Sequence, residues 1–236
     1  MKAEDKDALS VFMPFYNEEE LVEESVGECH SYLKKLEREF ELLLVDDGST
    51  DGTPGIIDRL SRELESTRSV HHDENLGYGR ALATGFAESR YPLVFYTDGD
   101  MQFDIEQLED FLEDVKVSDL VVGYRKNRDD GSGRKLAAMV FNGLARLLLP
   151  VEERDIDCGF KLVKKEVIDD IQLDTERTVD AELLAKAASK GYVIEELPVE
   201  HSQRPAGESE ASGILGVRPG LVFKSIQELI QIRGEL

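Results

Sequence analysis

Asp98 and Asp100, two carboxylates one residue apart, directly follow the apolar run Leu93–Tyr96, and Gln102 adds a side-chain amide two residues further on. Acids in that spacing can converge on one hard cation. An all-oxygen donor set of Asp98, Asp100 and Gln102 selects Mg2+ or Mn2+ rather than zinc. A cation held there could bridge a diphosphate, offset its charge and stabilise a leaving group. Gly99, between the acids, would let backbone come close to a ligand. The competing reading is an ordinary acidic turn, and the cluster alone does not separate the two.

Two further polar clusters follow apolar runs. Asp46-Asp47-Gly48-Ser49-Thr50-Asp51-Gly52 comes after Phe40–Val45, where a carboxylate could accept hydrogen bonds from a base N–H or from ribose hydroxyls. A turn followed by a helix cap accounts equally for Asp51 and Gly52. Pro14-Phe15-Tyr16-Asn17-Glu18 comes after Leu9–Met13. Tyr16 could pack on a nucleobase and Glu18 could hydrogen-bond it, with Asn17 as a helix cap. Between Arg125 and Lys135, five of eleven residues are basic, in a chain of net charge −22. Arg125 and Arg134 read as phosphate contacts. Lys126 and Arg128 read as solvated, with Asp129 and Asp130 as local partners. His71 and His72 read as packed or hydrogen-bonded side chains. Gly77 and Gly79 make no dinucleotide fingerprint, because Leu82 stands where the third glycine belongs.

The elements that must hold these clusters alternate. Strands are expected at Leu9–Met13, Phe40–Val45, Ser69–His71, Leu93–Tyr96 and Leu120–Gly123. Helices are expected at Glu18–Leu36, Thr53–Leu64, Gly79–Glu88 and Ile105–Val115, the first opened by an Asn17/Glu20 capping box and the last by Asp104 and Gln107. The second half reads as helix Lys135–Leu149, strand Phe160–Val163, helix Ala181–Ser189, strand Tyr192–Val199 and amphipathic helix Leu221–Arg233. Such alternation implies an α/β fold, a mostly parallel twisted sheet flanked by helices on both faces. Ligands then bind beyond the carboxyl ends of the strands, where all three acidic or polar clusters fall. The chain divides into an N-terminal tail 1–8, a catalytic domain 9–200, an acceptor-side loop 201–220 and a C-terminal amphipathic helix 221–236. The loop's Gly-, Pro- and Ser-rich run, Ser202–Gly220, is long enough to be a working loop.

Composition narrows the function. There are 50 acidic and 28 basic residues in 236, an excess that repels nucleic acid. The surplus reads as an aid to solubility or as adaptation to a high-salt cell, where screening shrinks self-repulsion. Cys29 and Cys158, far apart, point to neither a disulfide framework nor a zinc site, and a reducing cytoplasmic setting is expected. Residues 1–8 lack a signal peptide's apolar core, and no apolar run reaches the ~20 residues of a bilayer span. In the helix Leu221–Arg233 the residues Leu221, Val222, Ile226, Leu229, Ile230 and Ile232 mostly share one face, which would pack on its own domain or a second subunit, or dock on a membrane surface.

The order of the motifs is more specific than any one of them. Pro-Phe-Tyr-Asn-Glu, Val-Asp-Asp-Gly-Ser-Thr-Asp-Gly-Thr, Asn75-Leu76-Gly77-Tyr78-Gly79-Arg80-Ala81 and Asp-Gly-Asp-Met-Gln together resemble family 2 glycosyltransferases of GT-A fold. Within them the chain is similar to the polyprenyl-phosphate branch typified by dolichyl-phosphate mannose synthase. Arg154-Asp155-Ile156-Asp157-Cys158-Gly159-Phe160 resembles the branch's Arg-Asp…Ser-Gly-Phe segment, and Arg204-Pro205-Ala206-Gly207-Glu208-Ser209 its acceptor-side loop. Glu210 stands where the branch often has Lys. The resemblance implies an inverting transfer from a nucleotide-sugar donor, UDP- or GDP-linked, to a lipid phosphate. It implies that Pro14, Tyr16, Glu18, Val45 and Asp47 hold the nucleoside. Asp98, Asp100 and Gln102 would hold the metal and diphosphate, Arg125 and Arg134 would meet phosphates, and Arg204 would close over the acceptor. Asp180 is the residue that such a resemblance would offer as general base; a helix cap or solvated face is the plainer reading. A glycan or protein acceptor, a sugar-phosphate nucleotidyltransferase, a receiver domain and a non-catalytic relative are the alternatives. No Gly-rich basic loop follows the first strand, and the acidic pair follows the second strand rather than the first, which disfavours the two middle ones.

Overall fold

A computed structural model describes residues 7–126, 132–204 and 219–236; of 132–137 and 219–223 only the helical backbone is described. The strands are β1 (Leu9–Phe15), β2 (Phe40–Asp46), β3 (Thr67–His71), β4 (Leu93–Thr97), β5 (Leu120–Arg125), β6 (Phe160–Lys164) and β7 (Ile194–Val199). They form one sheet of seven strands in the order β3-β2-β1-β4-β6-β5-β7. β6 runs antiparallel to both its neighbours, and every other pairing is parallel.

The helices are α1 (Val22–Lys35), α2 (Thr53–Glu63), α3 (Tyr78–Glu88), α4 (Leu108–Asp114), α5 (Ser132–Leu148), α6 (Lys165–Asp170), α7 (Val179–Lys190) and α8 (Pro219–Glu235). Buried strands explain the continuous apolar runs. Phe12, Leu43 and Val45 point into one core with residues of α3, α5, α7 and α8. Val11, Met13, Leu42 and Leu44 point into the other with residues of α1, α2 and α4. This is the period-2 alternation of a sheet covered on both faces.

β1 lies between β2 and β4, and the chain leaves it towards different sides of the sheet. Such a switch point opens a crevice at the carboxyl ends of the strands. The segments after β1, β2 and β4 converge there.

Two expected helix starts differ. α1 begins at Val22, four residues later than expected, with Leu21 at its cap and no side-chain cap bond. Asn17 sits at φ +54° and its Oδ1 accepts from the Thr50 N–H at 2.8 Å, so the loop after β1 is tied to the loop after β2 instead of capping a helix. The helix expected at Ile105–Val115 opens as a 3-10 turn, Ile105–Gln107, with Asp104 accepting from the Glu106 N–H at 3.0 Å. α6 was not anticipated.

α8 docks on its own domain through part of its apolar stripe, the plainer of the readings open to it. Leu229 and Ile232 are fully buried in the core shared with α5 and α7. Glu228 accepts from the N–H groups of Arg177 and Thr178 at 3.1 and 2.9 Å, just ahead of α7. Lys186 of α7 pairs with Glu235 at 3.1 Å. Among the described residues no helix is long and apolar enough to cross a membrane.

Candidate active site at the carboxyl edge of the sheet

The crevice holds a cavity of about 200 Å³, lined by Pro14, Tyr16 and Glu18 after β1, Asp47 after β2, Tyr78 at the start of α3, Asp98, Gly99 and Asp100 after β4, and Arg204. Five segments distant in sequence thus supply one wall each or part of one. Seven of the residues expected to bind donor or metal (Pro14, Tyr16, Glu18, Asp47, Asp98, Gly99 and Asp100) meet here, together with Arg204.

The acid pair is held in an under-neutralised state. Burial and the neighbouring Asp100 push Asp98 up to about 7, against the opposing pull of the Tyr78 hydroxyl, which donates to Asp98 Oδ1 at 2.9 Å. Burial likewise raises Asp100, although its Oδ1 accepts from the Gln102 N–H at 3.2 Å. Two carboxylates that destabilise each other's charge are what a divalent cation relieves, and their all-oxygen chemistry fits Mg2+ or Mn2+. The tight loop costs some backbone strain: Met101, between the acid pair and Gln102, adopts φ +59°.

The two glycines at the loop serve packing. A Cβ on Gly99 would collide with the Phe15 ring, so this residue packs closely on β1 as well as lining the cavity. A Cβ on Gly159 would collide with Asp98 Oδ2, and the Gly159 carbonyl accepts from the Asp98 N–H at 3.2 Å. That explains why an acid loop on β4 needs Gly before Phe160 on the adjoining β6.

Asp47 is at once a wall and a brace. Its carboxylate accepts from the N–H groups of Leu76 and Gly77 at 3.0 and 2.9 Å, and from His72 Nδ1 at 2.7 Å. His72 Nε2 meets Thr84 Oγ1 at 2.9 Å. These bonds fix the loop that presents Tyr78. Asp46 is buried against His71 Nδ1 at 2.9 Å and the Ser49 N–H at 3.1 Å, as a structural acid would be.

Three expected contacts do not line the cavity. Val45 is fully buried in the core, below the cavity wall. Gln102 turns its amide to the chain after β7: Nε2 donates to the Ser202 carbonyl at 2.9 Å, and the Ser202 N–H donates to the Gln102 carbonyl at 2.8 Å. Arg125 makes a two-point fork to Asp155, Nε to Oδ2 at 2.6 Å and Nη2 to Oδ1 at 2.7 Å, and is 11% exposed. Its charge still lowers the Asp98 and Asp100 carboxyls. Arg134 lies where only helical backbone is described, Arg128 lies outside the described residues, and most of the Ser202–Gly220 run, 205–218, lies outside them too.

Asp180 is neither a helix cap nor solvated. It is buried, and its Oδ1 accepts from Lys161 Nζ at 2.7 Å and from the Tyr96 hydroxyl. Lys161 is itself fully buried, opposite Tyr96 in the β4–β6 register. A lysine inside the apolar run Phe160–Val163 was the available signal for this buried pair. Tyr78 and His72 carried none beyond their place beside the Asn-Leu-Gly-Tyr motif.

A mostly parallel seven-stranded sheet with an acid loop beside its switch point is the GT-A architecture of nucleotide-diphospho-sugar transferases. The chain belongs to the glycosyl transferase family 2, whose model matches residues 10–172. It is 32% identical over 213 residues to glycosyltransferase AglD of Haloferax volcanii, covering 86% of this chain and 34% of that protein. It is 29% identical over 206 residues to the undecaprenyl-phosphate 4-deoxy-4-formamido-L-arabinose transferase of Pseudomonas fluorescens, covering 86% and 60%. The chain therefore spans about a third of the one relative and three-fifths of the other. Among solved structures it resembles glucosyl-3-phosphoglycerate synthase of Mycobacterium tuberculosis in complex with Mn2+, UDP and glucosyl-3-phosphoglycerate, at TM-score 0.69 and 20% identity over 97% of this chain and 80% of that one. A second likeness is to the mannosyltransferase PcManGT of Pyrobaculum calidifontis with GDP-Man and Mn2+, at TM-score 0.61 and 20% identity over 85% and 58%. At that identity the likeness concerns the fold.

Proposed function

We propose that this chain transfers a sugar, with inversion, from a UDP- or GDP-sugar to a polyprenyl phosphate. The observation that carries the reading is that one cavity joins Pro14, Tyr16, Glu18 and Asp47 to the Asp98–Asp100 pair. Asp98 and Asp100 would hold Mg2+ or Mn2+, which when bound supplies Lewis-acid neutralisation of the departing diphosphate. Tyr16 would pack on a base, and Asp47, on the same wall, would accept from a ribose hydroxyl or a base N–H.

The acceptor class is supported by the arabinose transferase relative, whose name includes undecaprenyl phosphate. It also agrees with the state of Asp180. A general base must be free to take a proton, whereas Asp180 accepts from both Lys161 and Tyr96. A lipid phosphate is anionic near neutral pH and needs positioning rather than deprotonation. Arg204, which lines the cavity and pairs there with Glu18, would be the cation that meets it.

The test is turnover by purified chain with Mn2+ or Mg2+, a panel of UDP- and GDP-sugars, and either a polyprenyl phosphate or a free glycan. Product on the lipid phosphate alone supports the reading. Product on the glycan alone replaces the acceptor, and tight donor binding with no product on either removes the catalytic claim.

A further inference from the structure

Glu18 and Arg204 face each other across the cavity wall as an ion pair, Arg204 Nη2 to Glu18 Oε2. They are 186 residues apart in sequence. Both side chains are largely buried, 15% and 16% exposed, and both line the cavity that contains Asp98 and Asp100. Burial raises the Glu18 carboxyl, and Arg204 opposes that rise without cancelling it. The same guanidinium also opposes the rise that burial causes at Asp100. One cation therefore serves acids on two walls.

The backbone that carries Arg204 is fixed to the acid loop. Gln102 and Ser202 exchange two hydrogen bonds of 2.9 and 2.8 Å. Phe103 and His201 form an antiparallel bridge, and the Glu200 N–H donates to Gln107 Oε1 at 2.7 Å. With the main chain clasped, what can leave the cavity is the long side chain of Arg204 itself.

From this arrangement we propose that Arg204 is the resident counter-ion of the donor-free site, displaced from Glu18 when a divalent cation and a nucleoside diphosphate enter. The proposal rests on Asp98 and Asp100 being the cation site. In the free chain the guanidinium offsets charge that the acids cannot shed by solvation. A divalent cation on Asp98 and Asp100 takes over that offset. The guanidinium, repelled by the cation and attracted by the incoming phosphate oxygens, then exchanges one carboxylate for phosphate, a match that suits its planar fork. Glu18 is released at the same step to accept from the nucleoside. Arg204 thus links filling of the donor site to the readiness of the acceptor side.

Two measurements on the full chain test it. The first is the Mn2+ affinity without nucleotide, read by electron paramagnetic resonance, for wild type and for Arg204→Ala. Removal of a competing unit charge should tighten Mn2+ binding by about tenfold, the scale set by charges several ångströms apart in a partly buried site. The same substitution should weaken UDP or GDP binding in the presence of Mn2+. The second is a pair of wild-type crystal structures, one free and one with Mn2+ and UDP or GDP. The expected result is the Glu18–Arg204 pair in the free structure only. An intact pair beside bound metal and nucleotide overturns the proposal even if Arg204→Ala fails to fold. Unchanged or weaker Mn2+ binding by a folded Arg204→Ala overturns it too. Absence of Mn2+ binding by wild type with either nucleotide removes the cation-site reading and this proposal with it, an outcome distinct from the other two.

Discussion

Asp100 is the side chain that tests the proposed chemistry most simply, because it lines the cavity at the sheet's edge, outside the strands. Asp100→Ala should abolish metal-dependent turnover while the melting temperature stays within a few degrees of wild type. Activity of that variant in Mn2+ would contradict the assignment. Arg125 calls for the opposite pattern. Its expected role was phosphate contact, but its fork is already engaged by Asp155 at 2.6 and 2.7 Å. Arg125→Ala should therefore cost stability, by about 2–3 kcal/mol for a charge-assisted pair. Urea unfolding of Arg125→Ala against wild type reads this. A variant of unchanged stability that has lost donor affinity would return Arg125 to the phosphates. The difference between these two residues shows what the sequence makes legible. Acids after a buried strand announce a site, because no core packing calls for them there. An arginine after a strand announces only that it needs an anion, and the anion here is contributed by Asp155, thirty residues on.

At the scale of elements, the sheet was readable because buried parallel strands leave continuous apolar runs, and each of the seven strands was located within about two residues. Strand order and the reversed direction of β6 were not readable, since both depend on long-range pairing. A local polar signal misled where a tertiary partner prevailed: Asn17, expected as a helix cap, serves Thr50. Glu41 shows the same long-range logic on β2. It accepts from Ser10 at 2.6 Å, Arg68 at 2.8 Å and the Arg90 N–H at 2.7 Å, which joins β1, β2, β3 and the end of α3. Burial raises its carboxyl, but these donors outweigh burial and hold it below the usual 4.5. A depressed acid stabilises the fold above its unfolded-state pKa and loses that contribution as pH falls through the folded value. Glu41→Gln should thus be less stable than wild type at neutral pH, by about 1–3 kcal/mol, with the gap closing below about pH 4.5. Urea unfolding of both proteins across that range is the check; a gap that widens on acidification would contradict the assigned pairing. α8 carries a parallel expectation. With Leu229 and Ile232 buried, a chain ending at residue 218 should lose several kcal/mol, about 1.5–3 for each buried side chain. Equal melting temperatures of the full and shortened chains would mean the helix is not docked in solution.

At the scale of the whole molecule, 50 acidic residues against 28 basic ones set a strongly negative field around a site expected to receive a negatively charged donor. A general field of that sign slows such a ligand, so the local cations matter more than their number suggests. Salt should raise the melting temperature, since screening falls to a Debye length of about 3 Å at ~1 M and relieves self-repulsion. A melting temperature that drops steadily with added potassium chloride would contradict that account of the surface. The family and fold fix the architecture, while donor, metal and acceptor rest on the cavity. The most direct test of that cavity is calorimetric titration of UDP and GDP into wild type and Asp100→Ala, each with Mn2+ and with excess chelator. The account predicts saturable binding of one nucleotide to wild type with Mn2+, at least tenfold weaker on chelation and in Asp100→Ala. Equal affinity under all four conditions, or no affinity for either nucleotide, would contradict it.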